Sequence, residues 1–280
     1  MSLEERVAYW VDLGLTEYLK TYDLQVNIAH LRRNNLLKED IILTTEHRPE
    51  VNFGSAEQHN QFSEEFLDEV RKLKGQSFTK EDIIEVLKSK DIAFSKTSRG
   101  GGATVIAPGQ IIFYPVVDYE KVVGKVLGVG DYKNLIDRIL YNVISKFNVP
   151  NLAIAQGLIQ TSQGVRERRD VWTNIEGHDF KIGSKGIHNA GNIAYHGFVI
   201  YADIAGTKLF DYIKPCGYSH DEVSVISIEE ITGKQVDKEL IKELTKAEIK
   251  EKFRYSKITE LSKEELFEML DKPVSAKVTV

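Results

Sequence analysis

A single cysteine in 280 residues excludes an internal disulfide and any metal site built from several thiolates. The seven histidines contain no H-x-x-x-H or H-x-H pair, so their spacing calls for no metal, and no cofactor is expected. No apolar run approaches the roughly 20 residues that a membrane-spanning helix requires. The opening residues, Met1 to Gly14, are charged and lack the apolar stretch of a secretion signal, which makes the cytoplasm the expected location. A net charge of −5 gives no broad basic footprint for nucleic acid or anionic lipid. There is no G-x-S-x-G elbow, which argues against a serine hydrolase. No Lys-Ser/Thr follows the one glycine run and it lacks G-x-G-x-x-G spacing, so it is neither a phosphate-binding loop nor a dinucleotide fingerprint. Repeats, low-complexity tracts and Pro/Ser-rich linkers are absent, and the simplest organisation is one domain over 1–280.

What the chain does have is an ordinary globular composition, 42% hydrophobic and 28% charged, enough to form a substantial core without cross-links. Apolar spacing in residues 1–37 predicts a strand or helix followed by a helix. The alternation in 41–47 predicts a strand closed by Pro49. Two helices are expected within 63–90, the second capped by Thr79 ahead of acidic residues. A short strand is expected at 92–95, a buried strand at 111–119, and a long helix over 131–149. Strand-like segments recur at 171–175, 178–188, 194–204 and 223–228. Residues from about 236 to 280 are charged with helical periodicity and read as a helical C-terminal part. Strands and helices mix without regular alternation, so the fold class is α+β.

Five places could carry chemistry. Cys216 is flanked by Pro215 and Gly217, which imply a tight turn that exposes the thiol and frees backbone N–H groups. A lone cysteine is also commonly a small buried hydrophobe. Lys181 lies in a strand-like run, sharing a face with Gly183. It is either a solvated edge lysine or an ammonium that promotes a nearby thiolate. Arg99-Gly100-Gly101-Gly102 with Ala103 and Thr104 is either a flexible hairpin loop or a backbone that approaches a ligand closely. His196, pointing opposite to Tyr195, and His47 read as core histidines or site residues.

Together these segments resemble the octanoyltransferase (lipoyl(octanoyl) transferase) family, of the lipoate/biotin protein ligase-like superfamily. The matching stretches run in family order. They are Glu46-His47-Arg48-Pro49 with Gly54, Arg99-Gly100-Gly101, Thr104, Pro108-Gly109-Gln110, Val171-Trp172, Lys181-Ile182 with Ser184 and Gly186, His196-Gly197, and Pro215-Cys216-Gly217. The resemblance implies a biotin/lipoate ligase-like catalytic domain of mixed sheets flanked by helices. It also implies transfer of an octanoyl, or lipoyl, group from an acyl carrier protein or other octanoyl thioester through an acyl-Cys216 intermediate. The acceptor would be a lysine of a lipoyl domain, of the 2-oxoacid dehydrogenase E2 or glycine cleavage H protein type. In that scheme Lys181 assists Cys216. The acyl pocket is lined by Arg99 to Ile106 (with Val105), by Ser184, Lys185 and Gly186, and by His196, Gly197, Phe198 and Val199. Aminolysis of a thioester is downhill, so no ATP is called for.

Three features depart from the family pattern. Val105, Ile106 and Ala107 stand where an aromatic, a histidine and a glycine are usual. Arg169-Asp170 replaces a Pro-Gly, and about twenty extra residues lie between Gly54 and Arg99. Two other functions are compatible with the sequence: an ATP-dependent lipoate–protein ligase, and a non-catalytic acyl- or lipoyl-binding partner that kept the fold.

Overall fold

The computed structural model describes residues 6–55, 61–99, 102–124, 128–155, 158–161, 164–167, 170–214 and 224–271, with the main chain alone for 158–161 and 164–167. The chain opens with β1 (Val7–Thr16) and α1 (Tyr18–Arg33), then β2 (Asp40–His47) and β3 (Glu50–Phe53). Helices α2 (Glu64–Lys74) and α3 (Lys80–Ser89) lead to β4 (Ala93–Lys96), β5 (Ala103–Ile106) and β6 (Gln110–Asp118). Next come α4 (Tyr119–Val123), α5 (Val129–Ile144), β7 (Ala153–Ile154), β8 (Leu158–Thr161), β9 (Gly164–Glu167) and β10 (Val171–Ile175). The long hairpin of β11 (His178–Ala190) and β12 (Ile193–Tyr201) precedes β13 (Ser224–Val225), α6 (Ile228–Thr232), α7 (Lys238–Lys252), β14 (Lys257–Glu260) and α8 (Lys263–Asp271).

The main sheet runs β14-β1-β2-β6-β12-β11-β10-β7, with β13 beside β11. Its pairs at one edge, β14 with β1 and β1 with β2, are parallel, and β2 through β7 pair antiparallel. Period-2 alternation sends successive side chains into two cores. Trp10, Ile42, Phe113 and Ile182 meet Ile136 and Leu140 of α5, Ile241 of α7 and Phe253 just after α7 on one face. Val11, Ile41, Leu43, Ile112 and Tyr114 meet Tyr18 and Ile28 of α1 and Leu266 of α8 on the other. A smaller sheet, β4-β3-β5, packs on α2 and α3 through Val51, Phe66, Val70, Leu87 and Val105.

Most of the expected elements form. Thr79 caps α3 in a reciprocal box: its hydroxyl accepts from Asp82 N–H at 3.2 Å and its own N–H donates to Asp82 at 2.8 Å. Three differences stand out. Of the run 223–228, the described residues 224–228 form a strand only at Ser224–Val225, because Ser227 and Glu230 form a capping box that starts α6. Glu50–Phe53, buried throughout, forms a strand that alternation does not mark. The C-terminal part is not wholly helical, since Lys257–Glu260 adds a parallel edge strand to β1. Among the described residues no helix is long and apolar enough to cross a membrane.

Candidate active site

The site begins with an irregularity in the sheet. Pro115 sits in the middle of β6, between β2 and β12, where it has no N–H to give the ladder. Opposite it, β12 pairs as Ala194 with Val117 and resumes at Phe198 with Phe113. Within that gap His196 takes φ +57, a left-handed conformation uncommon for a residue with a side chain. Gly197 is pressed so close that an added Cβ would overlap the carbonyl oxygen of Phe113 and stand 2.9 Å from Pro115 Cδ. Glycine is required there by close approach.

Over this buckle lies a cleft with about 470 Å³ of empty space, part of it open to solvent. It is lined by Tyr18 of α1, Arg99, Thr104 to Ile106 of β5, Gln110, Ile112 and Tyr114 of β6, Ser184 to Gly186 of β11, and His196 to Val199 of β12. The fold therefore brings Arg99, Thr104, Val105, Ile106, Ser184, Lys185, Gly186, His196, Gly197, Phe198 and Val199 to one place from three distant stretches of sequence. Ala103 is buried beside the cleft, its N–H given to Gln61, and Gly102 offers its carbonyl to Arg99 at 2.6 Å. Gly100, Gly101, Pro215, Cys216 and Gly217 lie outside the described residues.

The wall mixes branched and aromatic apolar side chains with polar groups held by hydrogen bonds. Arg99 Nε donates to Asn52 at 3.1 Å. Ser184 Oγ and Tyr201 OH are 2.9 Å apart. His47, fully buried, meets Thr16 through Nδ1 and Tyr114 OH through Nε2, both at 2.9 Å. Burial lowers its pKa to about 4, and burial likewise raises the Tyr18 and Tyr114 hydroxyls above their usual values. His196 differs. It is buried, its ring lies between those of Tyr22 and Tyr195, and both ring nitrogens lack a hydrogen-bond partner among the described residues. Burial, together with the charges of Arg99 and His188, lowers its pKa to about 3. The ring is a neutral, unspent hydrogen-bonding group on the cleft wall.

Lys181 is not the solvated edge lysine that alternation allows. It is 7% exposed, its Nζ donates to Asp170 Oδ2 at 2.9 Å, and it stands 5.3 Å from the centre of the Trp172 ring. Asp170 joins it to Lys185 of the cleft wall, whose Nζ donates to Asp170 Oδ1 at 3.2 Å and also to Asp137 of α5. Strand β13 pairs with β11 at Phe180 and Lys181, and Ile226 N–H donates to the Lys181 carbonyl at 3.0 Å. On the other side of the undescribed stretch, Lys214 N–H donates to the Gln61 carbonyl at 2.8 Å. The first described residues after that stretch, Ser224 and Val225, thus pair directly with Lys181's strand.

No sequence motif marks Asp137, Tyr18 or Tyr114, Gln110 stands out only within the Pro108-Gly109-Gln110 match, and Asp170 only as a departure from the family pattern. The one signal available was an aspartate where the resemblance expects glycine.

The family model for the lipoyl protein ligase A/B catalytic domain matches residues 17–250. The chain is 28% identical to an octanoyltransferase of Desulfotalea psychrophila over 75% of this chain and 79% of that protein. It is 32% identical to an octanoyltransferase of Orientia tsutsugamushi over 59% of this chain and 72% of that protein. In structure it is similar to a bipartite lipoate protein ligase from Thermoplasma acidophilum, with a TM-score of 0.58 over 97% of this chain and 95% of that one, at 11% identity. A lipoate–protein ligase A bound with ATP superposes with a TM-score of 0.57 over 98% and 97%, at 13% identity. At these identities the structural likeness is one of fold.

Proposed function

The chain belongs to the octanoyltransferase family, which carries the lipoyl protein ligase A/B catalytic domain, and from that membership we propose that it transfers an octanoyl group to a lipoyl domain through a thioester on Cys216. The donor is an octanoyl thioester, of the acyl carrier protein type. The Cys216 thiolate attacks the thioester carbonyl, a new C–S bond forms, and the carrier thiolate leaves and takes up a proton. The ε-amine of the acceptor lysine then attacks the acyl-enzyme carbonyl. An amide forms, the bond to Cys216 breaks, and the proton lost by the amine returns to the thiolate. No phosphoanhydride bond is consumed. The octanoyl chain lies in the cleft between β5, β6, β11 and β12, with its carbonyl end toward Lys181.

The observation that carries this reading is Lys181. A buried lysine held by a carboxylate, on the strand that pairs with Ser224 and Val225, supports a role in favouring the thiolate of Cys216 over the thiol. The test is transfer to a lipoyl domain by the purified chain with octanoyl-carrier protein and no nucleotide. The expected result is an octanoylated domain in that mixture and none from free octanoate with ATP and magnesium. Product only in the second mixture would make the chain an ATP-dependent ligase and overturn the reading.

A further inference from the structure

Behind the cleft, four ionisable side chains close into one cluster. Asp170 Oδ2 accepts from Lys181 Nζ at 2.9 Å, and Asp170 Oδ1 accepts from Lys185 Nζ and from Lys185 N–H, both at 3.2 Å. Lys185 Nζ also reaches Asp137. All four side chains are about nine-tenths buried. Two carboxylates face two ammonium groups, so the cluster carries no net charge.

Asp170 holds this position at a conformational cost. Its φ is +77, in the left-handed region that favours glycine. Its carbonyl accepts from Ala155 N–H at 2.9 Å, and the β10–β11 register shifts next to it, between Val171 and Trp172. The backbone turn thus aims the carboxylate at both lysines, with both of its oxygens engaged.

We propose that Asp170 is a positioning residue for Lys181: it fixes the ammonium against Trp172 beside β13, while the Lys185–Asp137 pair sets how much of the carboxylate Lys181 can use. This rests on the reading of Lys181 as the partner of the nucleophile. The charged groups that face Lys181 among the described residues are Asp170 ahead of β10, Lys185 on its own strand and Asp137 on α5. β10 adds the Trp172 ring, and β13 adds Ser224 and Val225, which carry no charge. Burial by itself drives a lysine toward the neutral amine, and a carboxylate at 2.9 Å opposes that. The two carboxyls are unequal. Burial pushes both up, but in Asp170 the two ammonium groups outweigh it and hold the carboxyl below its ordinary value. Asp137, paired with Lys185 alone, stays above its ordinary value. Asp170 is the fixed charge of the cluster.

The experiment is the pH profile of kcat/KM for transfer from octanoyl-carrier protein. In Asp170→Asn the limb from loss of the Lys181 ammonium moves down by about one to three pH units. At its optimum kcat falls on the order of 10–100-fold, as expected for a misplaced group, and KM changes little. The double variant Lys185→Met/Asp137→Leu removes an opposite-charge pair as a unit, which buried sites tolerate. It leaves Asp170 to Lys181 alone and moves the limb up. Lys181→Met separates the two ideas. If it is inactive while Asp170→Asn keeps the wild-type limb and kcat, the role of Asp170 is wrong and the reading of Lys181 stands. If Lys181→Met still transfers, both fall. Should Asp170→Asn fail to fold, the double variant decides, and a limb that moves down or stays overturns the proposal.

Discussion

The imidazole of His196 lies nearly parallel to the ring of Tyr22, with centroids 5.4 Å apart and planes inclined by 16°. A ring held flat between tyrosines, with neither nitrogen engaged among the described residues, is poorly placed to carry charge. His47 is equally buried but has partners on both nitrogens. In the unfolded chain a histidine takes its proton near pH 6.5, whereas in the fold His47 takes one at about 4 and His196 at about 3. Over that interval the unfolded state binds more protons, so stability is complete above about pH 6.5 and is lost as the pH falls. At about 1.4 kcal/mol per pH unit, each histidine withdraws about 2 kcal/mol between pH 6.5 and 5. Denaturant unfolding at these two pH values should show a smaller difference in His47→Gln/His196→Asn than in wild type. Equal differences would place the protonation of both rings elsewhere.

Gly197→Ala forces a Cβ onto the Phe113 carbonyl, and backbone on both sides has to move. The expected loss is at the upper end of about 1–3 kcal/mol or beyond it, read as a fall in Tm of several degrees. Gly177→Ala is the control. Its φ is +86 but nothing lies within 4 Å of an added Cβ, so the loss should be smaller, of order 1 kcal/mol. Comparable losses at the two sites would remove the close approach as the reason for glycine at 197.

Both Val105 and Ile106 face the cleft and both are buried, so the two departures from the family pattern do stand on its wall. A branched apolar wall favours a saturated chain, and each methylene buried against it is worth about 0.8 kcal/mol, roughly fourfold. Octanoyl should therefore be preferred to the lipoyl group, whose sulfurs add bulk at the chain end, and Ile106→His should reduce that preference. The measurement is kcat/KM for both donors in wild type and variant. An unchanged ratio would mean that Ile106 does not set acyl choice.

Much of the fold was legible because its signals are local. Thr79 with Asp82 announces a helix start, the apolar spacing of α5 announces its face, and 41–47 alternates between two cores. The misses are elements defined by partners. Lys257–Glu260 is a strand because β1 has a free parallel edge, and Glu50–Phe53 is buried on both sides and shows no alternation. At the site, the short motifs pointed to a shared location, and the cleft collects most of them. What they could not convey was electrostatic. Lys181 alternates like a surface residue, and among the described residues it is the turn at Asp170, eleven residues away in sequence, that gives it a buried counter-charge. His196 likewise reads as an ordinary strand residue until Pro115 appears across the ladder and β12 buckles.

The central claim is covalent transfer through Cys216. Its direct test is the intact mass of the protein after brief incubation with octanoyl-carrier protein and no acceptor, for wild type and Cys216→Ala. The account predicts one added octanoyl group on wild type, cleared when a lipoyl domain is supplied, and none on Cys216→Ala, which keeps the wild-type melting curve. Transfer by wild type with no acyl-enzyme at any time point, or undiminished transfer by Cys216→Ala, would contradict it.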